Sequence, residues 1–436
     1  MVLGQQIPHL TPTALREFNI HFPISRGDLH LHSEPGGSLT SVAADLRDIW
    51  TAAIQEIIGP NQKFDPKTAR FVLVIPDIFC RRNVRTMVQV LAEIGCSSFF
   101  LIQNSTLSSV QDHVAATFGA GLASACVVDC GDQKTSISCV EDGISIPSTR
   151  LRVGFGGADM TLGFYHILQR QSGFPLKDLS GSYPWEADLL TRIKEDWTTA
   201  DPDTEGERVM QLQFPQPSNR TSFMDFTVGD ECIVGGLQAL NPAIFGCTGA
   251  KHVVRYTEGP SEPEDPFDAQ YLKDTGRRWW GAPKDDDSAT ELDVPMEAQR
   301  SCAHASESSS TASFPSVPSL SLDCLILTSI EGCPSSDIKR RMYGSILLVG
   351  DGLKFQSISG WIRSRVAMLT PPEYRSPDAF PDVVSRLRTG VDAGDAVWRG
   401  AALLSTLESS SQLWIPMEDW RKYSVRILRE RCPFTW

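Results

Sequence analysis

The residues with the strongest chemical potential lie in "ACVVDCGDQKTSISCV" (125–140), two short apolar strands bent around Gly131-Asp132-Gln133-Lys134. Successive backbone N–H groups at the mouth of such a turn make a concavity suited to phosphate. Asp129 and Asp132 stand beside it, and Mg²⁺ favours one or two carboxylates together with phosphate oxygens. An Asp-Gly hairpin with no ligand fits the same residues. A second glycine turn, "LLVGDGLKF", carries an apolar strand through Gly350, Asp351 and Gly352 towards a helix. There the missing side chains would let a flat or anionic ligand approach the backbone and the helix N-terminus. A third, "VGFGGAD" (153–159), reads as a corner between strand and helix. No P-loop, HExxH or GxSxG motif occurs. His30-x-His32 reads as two alternate surface residues of a strand rather than a zinc pair.

These turns need a sheet and helices to hold them. "RFVLVIPD" (70–77) is a nearly continuous apolar run, the pattern of a strand covered on both faces. In "NVRTMVQVLAEIG" the residues Val84, Met87, Val88 and Leu91 share one helical face, and Gly95 stands where that helix ends. "SSFFLIQ" predicts a strand, "TLSSVQDHVAATFG" (106–119) a helix, and "ISIPSTRLRVG" a strand after the hairpin. Residues 70–153 therefore predict β-α-β-α-β-β-β, a mixed α/β layer. Helices follow in "GADMTLGFYHILQRQ" and "EADLLTRIKEDWT", the second carrying Lys194 and Glu195. The stretch 257–320 is acidic, rich in Ser and Pro and short of aliphatics, so it predicts a disordered insertion with an embedded "RRWW" (277–280). Beyond it, "SDIKRRMYGSILLVGDGLKFQSISGWI" predicts helix, strand, glycine turn and helix. "VWRGAALLSTLESSSQLWIPMEDW" predicts a strand and then a helix.

A chain of 436 residues exceeds one typical core and suits two or three domains. Its net charge of −13 argues against nucleic-acid binding by bulk electrostatics. Lys339, Arg340 and Arg341, and the tail "WRKYSVRILRERCPFTW", are the local exceptions, both read as a solvated helix face. The eleven scattered cysteines include no CxxC pair and indicate a reducing compartment, cytosol or nucleus. No apolar run is long enough to span a bilayer, so no membrane partner is expected.

The order of these pieces carries more than any one of them. "FNIHFPISRGDLH" followed by "ADLRDIW", then "CVVDCGDQKTSISCVEDG", "RRMYGSILLVGDGLKF" and finally "VWRGAALLSTLESSSQLWI" with "RILRERCPFTW" resemble, in sequence order, segments of the actin family. The closer resemblance is to nuclear actin-related proteins that serve chromatin remodellers of the INO-eighty class. It runs from about residue 18 to the end, interrupted by the insertion. The resemblance implies an actin-like ATPase fold, ribonuclease H-like, in two domains. Residues 1–150 and 370–436 would form the first domain, and 151–256 and 321–369 the second. The match begins inside the actin fold, so the family's first phosphate loop and the strands around it would precede Met1. The resulting expectation is an N-terminally incomplete first domain, as in a truncated gene product, in preference to a domain completed by a partner.

Carried over residue by residue, the resemblance assigns Asp129, Gly131 and Asp132 to the second phosphate loop. Gln133 stands where the family has a further glycine. Lys194 and Glu195 match the pair that reaches the base and ribose. Gly350, Asp351 and Gly352 match the adenine-side turn, with Asp351 replacing a small residue. ATP with Mg²⁺, held through water by Asp129 and Asp132, is the implied cofactor, weakened by the missing first loop. Asp112 falls where actins have the glutamine that orients the attacking water, and it adds negative charge beside a triphosphate. The expectation is slow or absent hydrolysis, with no efficient catalytic residue. The implied role is a nuclear, non-filament scaffold subunit. Its partners would be a remodeller motor-subunit helix, actin, a second actin-related protein, histones and linker DNA. Transcription regulation, DNA repair and DNA recombination are the implied processes. The competing expectations are a slow actin-like ATPase and, less favoured, a filament former.

Overall fold

A computed structural model describes residues 18–59, 64–103, 122, 124–170, 174, 184–201, 207–215, 221–241, 253–255, 321–375, 382–384, 394–432 and 434, with Gly4 and Ile7. The expected helix over 106–119 with Asp112, the "RRWW" stretch and the 257–320 insertion lie outside the described residues.

The chain enters through a two-residue hairpin that pairs β1 (Ile24–Ser25) with β2 (Asp28–Leu29). Its turn residues Arg26 and Gly27 both have positive φ, 49° and 88°, the backbone of a tight primed turn. The helix α1 (Leu39–Ile58) starts at Ser38, whose side chain accepts the N–H of Ser41. β3 (Arg70–Ile75), α2 (Arg81–Ile94) and β4 (Ser98–Gln103) then form a β-α-β unit, with β3 and β4 parallel. Gly95 ends α2 in the left-handed conformation, φ 100°, as its position in the sequence predicts.

β5 (Ala125–Cys130) and β6 (Thr135–Glu141) form the antiparallel hairpin of the opening motif. The single strand expected over 144–154 is two: β7 (Ile144–Ser145) and β8 (Leu151–Val153). Pro147, which has no N–H for a ladder, opens a 3₁₀ turn between them. α3 (Gly157–Gln169) and α4 (Pro184–Trp197) follow as predicted. A ribbon of β9 (Arg208–Pro215) and β10 (Thr221–Val228) leads to α5 (Glu231–Gly236) and β11 (Val253–Arg255).

After the insertion come α6 (Leu322–Glu331), α7 (Ser336–Gly344), β12 (Ser345–Val349) and α8 (Ile358–Leu369). The last elements are β13 (Asp382–Val384), α9 (Ala396–Thr406), β14 (Ile415–Pro416), α10 (Met417–Tyr423) and α11 (Arg426–Arg431). The strand expected at "VWRGAALL" is the helix α9. Ala396, Gly400, Ala401 and Leu404 recur at helical spacing on its buried face, and alanine and leucine favour helix. Lys339 and Arg341 on α7 pair with Glu331 and Glu141, while Arg340 stays exposed.

Two sheets organise the molecule. The first has the order β14-β4-β3, and the second runs β11-β8-β6-β5-β12-β13 with β7 beside β6. The second sheet thus runs across residue 150, where the sequence reading divides the domains. It also takes its edge strand β13 from the 370–436 segment expected in the first domain. β3 pairs with no described strand other than β4. One face of the second sheet buries Cys126, Val128, Ile137, Ile346 and Leu348 against α6 and α8. α9 spans both sheets: Ala396 packs with Val127 and Leu347 of the second, and Ala401 and Leu404 pack with Phe100 and Ile102 of the first. A third core joins α3, α4, α5 and β10 through Phe164, Trp197 and Phe226.

Candidate functional site: a cradle at the hairpin turn

Three loops meet at the end of the second sheet, and glycine allows them to touch. The turn of the β5–β6 hairpin closes with the Gly131 N–H donating to the Lys134 carbonyl at 3.0 Å. The α3 N-terminus sits directly on this turn: Gly157 N–H donates to Gly131 O at 2.9 Å and Ala158 N–H to Asp132 O at 2.8 Å. A Cβ on Gly156 would lie 2.5 Å from both of those carbonyl oxygens, so the corner requires glycine. From the other side, Gly352 N–H donates to Cys130 O at 2.9 Å, in line with the parallel β5–β12 ladder that pairs Val349 with Asp129. Gly350 has φ 83°, and a Cβ there would collide with Cys130 O. The missing side chains at Gly350 and Gly352 let the hairpin backbone at Cys130 approach this closely.

Gly157 marks the point of convergence. From the position of a Cβ on it, the Gly352 Cα and the Lys194 Nζ are each 3.5 Å away and the Asp132 Cα 3.8 Å. Lys194 reaches in from α4 and donates to Gly157 O at 3.3 Å. Burial lowers its pKa, opposed by the charges of Glu195 and Asp132. Glu195 and Asp132 are exposed, and Asp129 is half-buried. Asp351 points outward, 3.7 Å from Lys354, and its carboxylate lies against Gly394. Beneath the turn, burial pushes the Cys130 thiol up to about 12, so it is a neutral core group. The loops that carry the sequence-predicted residues Asp129, Gly131, Asp132, Gln133, Gly350 and Gly352 thus meet near Gly157 and Lys194, with Glu195 exposed next to Lys194 and Asp351 turned outward. Asp112 lies outside the described residues.

The arrangement can present anion-binding groups. The N–H groups of Asp132 and Gln133 donate to no described residue, the α3 N-terminus lies behind them, and the Lys194 ammonium stands beside them. For a divalent cation, Asp129 and Asp132 supply the one or two carboxylates that a hydrated Mg²⁺ needs. No cluster of three or more metal-ligating side chains occurs among the described residues. His30 and His32 lie just beyond β2 with rings 4.9 Å apart, and His30 Nδ1 is 3.1 Å from Phe22 O.

Sequence reasoning missed Arg26. From the β1–β2 turn its backbone N–H donates to Gln133 Oε1 at 2.9 Å, so the side chain at the family's glycine position is committed to this contact. Its guanidinium donates to Gln133 O at 3.3 Å, to Gly154 O, and through two nitrogens to Asp159 at 2.9 and 3.0 Å. Asp159 is buried and also accepts the Gly156 N–H at 3.0 Å. Next to this clamp, Asp28 pairs with Arg152 at 2.9 Å and accepts from Asn83 at 3.2 Å. The Lys134 stem lies under Gly27, and burial lowers its pKa against the attraction of Asp129, Asp77 and Asp28. The turn is anchored on the α1–α2 layer, because Leu29 packs with Val42, Leu46 and Val90 of those helices. Arg26 therefore ties the hairpin on the α1–α2 layer to the β5–β6 turn and the start of α3. The one local signal is the Arg-Gly pair between two short apolar stretches in "FPISRGDLH".

A cradle of this kind between an α/β sheet and a helical lobe defines an actin-type protein, and residues 44–186 match the family model for Actin. The chain is 40% identical over 450 residues to actin-related protein 8 of Aedes aegypti, covering all of this chain and 77% of that one. It is 34% identical over 472 residues to the Homo sapiens protein of the same name, covering all of this chain and 74% of its relative. A solved structure of the human actin-related protein Arp8 in its ATP-bound state superposes with a TM-score of 0.76 at 33% identity, over 96% of this chain and 70% of the other. The chain belongs to the actin-related protein 8 family.

Proposed function

We propose that this chain is a nuclear, non-filament scaffold subunit of a chromatin-remodelling complex that holds ATP as a structural ligand. The observation that carries the nucleotide part is the convergence at Gly157, where the α3 N-terminus, the hairpin turn and Lys194 meet. An ATP-bound relative with the same fold supports it. The Asp132 and Gln133 N–H groups would meet phosphate oxygens, with Gly131 allowing close approach. Asp129 and Asp132 would hold the water shell of Mg²⁺, and the ion would screen the phosphate charge. Lys194 and Glu195 would face base and ribose, and Gly350-Asp351-Gly352 the adenine side. In the assembly the chain would join actin and a second actin-related protein on a helix of the motor subunit. There it would contact histones and linker DNA and serve transcription regulation, DNA repair and recombination. The two domains would be those of the family, with the insertion over 257–320 outside both.

Two measurements test this reading. ATP should raise the melting temperature of the purified chain, and Lys194→Ala should remove most of that rise. Affinity purification from nuclei should recover actin together with a remodeller motor subunit; recovery of neither overturns the scaffold role. A second reading, a slow ATPase, is favoured by the retention of both Asp129 and Asp132. It requires phosphate release above a no-protein control that collapses in Asp132→Ala.

A further inference from the structure

We infer that Lys134 is a built-in cation of the nucleotide site: its ammonium, on the Asp129 side of the hairpin turn, balances phosphate charge, so the chain holds ATP with little dependence on Mg²⁺. The inference rests on the nucleotide reading above and narrows its metal part.

Lys134 closes the β5–β6 turn directly after the two N–H groups offered to phosphate. Its stem lies against the β1–β2 turn, where a Cβ on Gly27 would stand 2.8 Å from the Lys134 Cδ and 3.4 Å from its Nζ. The stem therefore fills the space that a side chain at position 27 would take. The ammonium is largely desolvated there, yet it forms no hydrogen bond or ion pair with a described residue. Charges surround it at longer range. Asp129 acts on it most, then Asp77, with Arg152 opposing them and Asp28 adding less. Asp129 and Asp77 belong to one side of the hairpin. Asp129 lies opposite Ser136 in the ladder, and Ser138, two residues further along β6, donates to Asp77 Oδ2 at 3.2 Å. Asp28 already has a cation, Arg152 at 2.9 Å, and accepts from Asn83 as well. Lys134 is thus the ammonium that serves Asp129 and Asp77.

This position has opposite consequences for two kinds of ion. A hydrated Mg²⁺ drawn to Asp129 would meet a like charge whose stem is already seated, and such repulsion is far stronger in a shielded crevice than in water. A polyphosphate on the Asp132 and Gln133 N–H groups would bring negative charge towards the same ammonium and supply acceptors for its three empty donors. Lys194 stands on the α3 side of the turn, so the two lysines would bracket that polyphosphate. A metal ion can still approach the exposed Asp132 through water, where it adds little to affinity.

Calorimetric titration of the full chain with ATP, once in excess Mg²⁺ and once in EDTA, tests the inference. The two affinities should agree within about threefold. Lys134→Met keeps an unbranched stem against Gly27 and removes the charge. It should weaken ATP binding in EDTA by about tenfold or more and regain most of that loss in Mg²⁺. Lys134→Arg keeps the charge and should stay insensitive to Mg²⁺. A readout without nucleotide is Mn²⁺ followed by electron paramagnetic resonance, which should bind Lys134→Met more tightly than the unaltered chain. If Lys134→Met melts lower, the unaltered chain and Lys134→Arg carry the test. ATP binding that requires Mg²⁺ in the unaltered chain overturns the inference and leaves the nucleotide reading standing. An equal loss in Lys134→Met with and without Mg²⁺ also overturns it. No ATP binding under either condition overturns the nucleotide reading itself.

Discussion

At the scale of single residues, the Arg26–Asp159 pair carries the clearest energetic consequence. Asp159 has 5% side-chain exposure and Arg26 44%, so the pair lies between a surface bridge and a buried one. Surface pairs contribute under about 1 kcal/mol, and breaking a fully buried pair costs about 3–5 kcal/mol. Arg26→Ala should therefore lower unfolding stability by about 2 kcal/mol, read from a urea titration at unchanged slope. The buried thiols make a second prediction. Burial raises Cys96 and Cys232 to about 11, above their ordinary value of 9.0. A group raised in the folded state stabilises fully below its unfolded pKa and loses that contribution as pH climbs through the folded one. The urea midpoint should fall as pH approaches about 11, and iodoacetamide at pH 8 should leave both thiols unmodified in the native protein. Lys134 and Lys194, lowered by burial, act in the opposite sense, so the thiols should set the sign only close to that pH. The hairpin turn could be singled out in the sequence because Asp, Gly and Lys stand together between two apolar strands. Arg26 could not be, because its partners Gln133 and Asp159 lie 107 and 133 positions away and no local pattern links them.

Among elements, periodicity exposed most of the helices and strands, and it failed where two patterns overlap. "VWRGAALL" is apolar enough for a buried strand, yet the small residues along one face let α9 pack closely against two sheets. Which strands share a sheet was not legible either. β5 finds β12 more than two hundred residues along the chain, and hydrophobicity does not encode that pairing. The close approach of the loops gives the prediction at this scale. Gly156→Ala forces a methyl to within 2.5 Å of Gly131 O and Asp132 O, so the turn must move off the α3 N-terminus. ATP affinity should drop by about tenfold or more while stability falls by only about 1–2 kcal/mol, compared by calorimetry and urea unfolding. Gly350→Ala adds a positive φ to its collision with Cys130 O and should destabilise the sheet more.

For the whole molecule, the sheet order says what a cut at a protease site engineered between β11 and α6 would leave. Fragments on either side share both sheets, through β12 with β5 and through β14 with β4. A chain nicked in this stretch should migrate as one species in size exclusion and separate only in denaturant. Separation under native conditions would contradict the strand pairing.

The β1–β2 turn has one further consequence. Arg26 and Gly27 are its only residues between paired strands, so it has no slack to lengthen. Both guanidinium bonds to Asp159 are already at 2.9–3.0 Å, and such bonds weaken steeply once stretched. Inserting a residue into this turn would carry the guanidinium away from Asp159, so the hairpin serves as a fixed-length spacer that sets how near the α1–α2 layer stands to the β5–β6 turn.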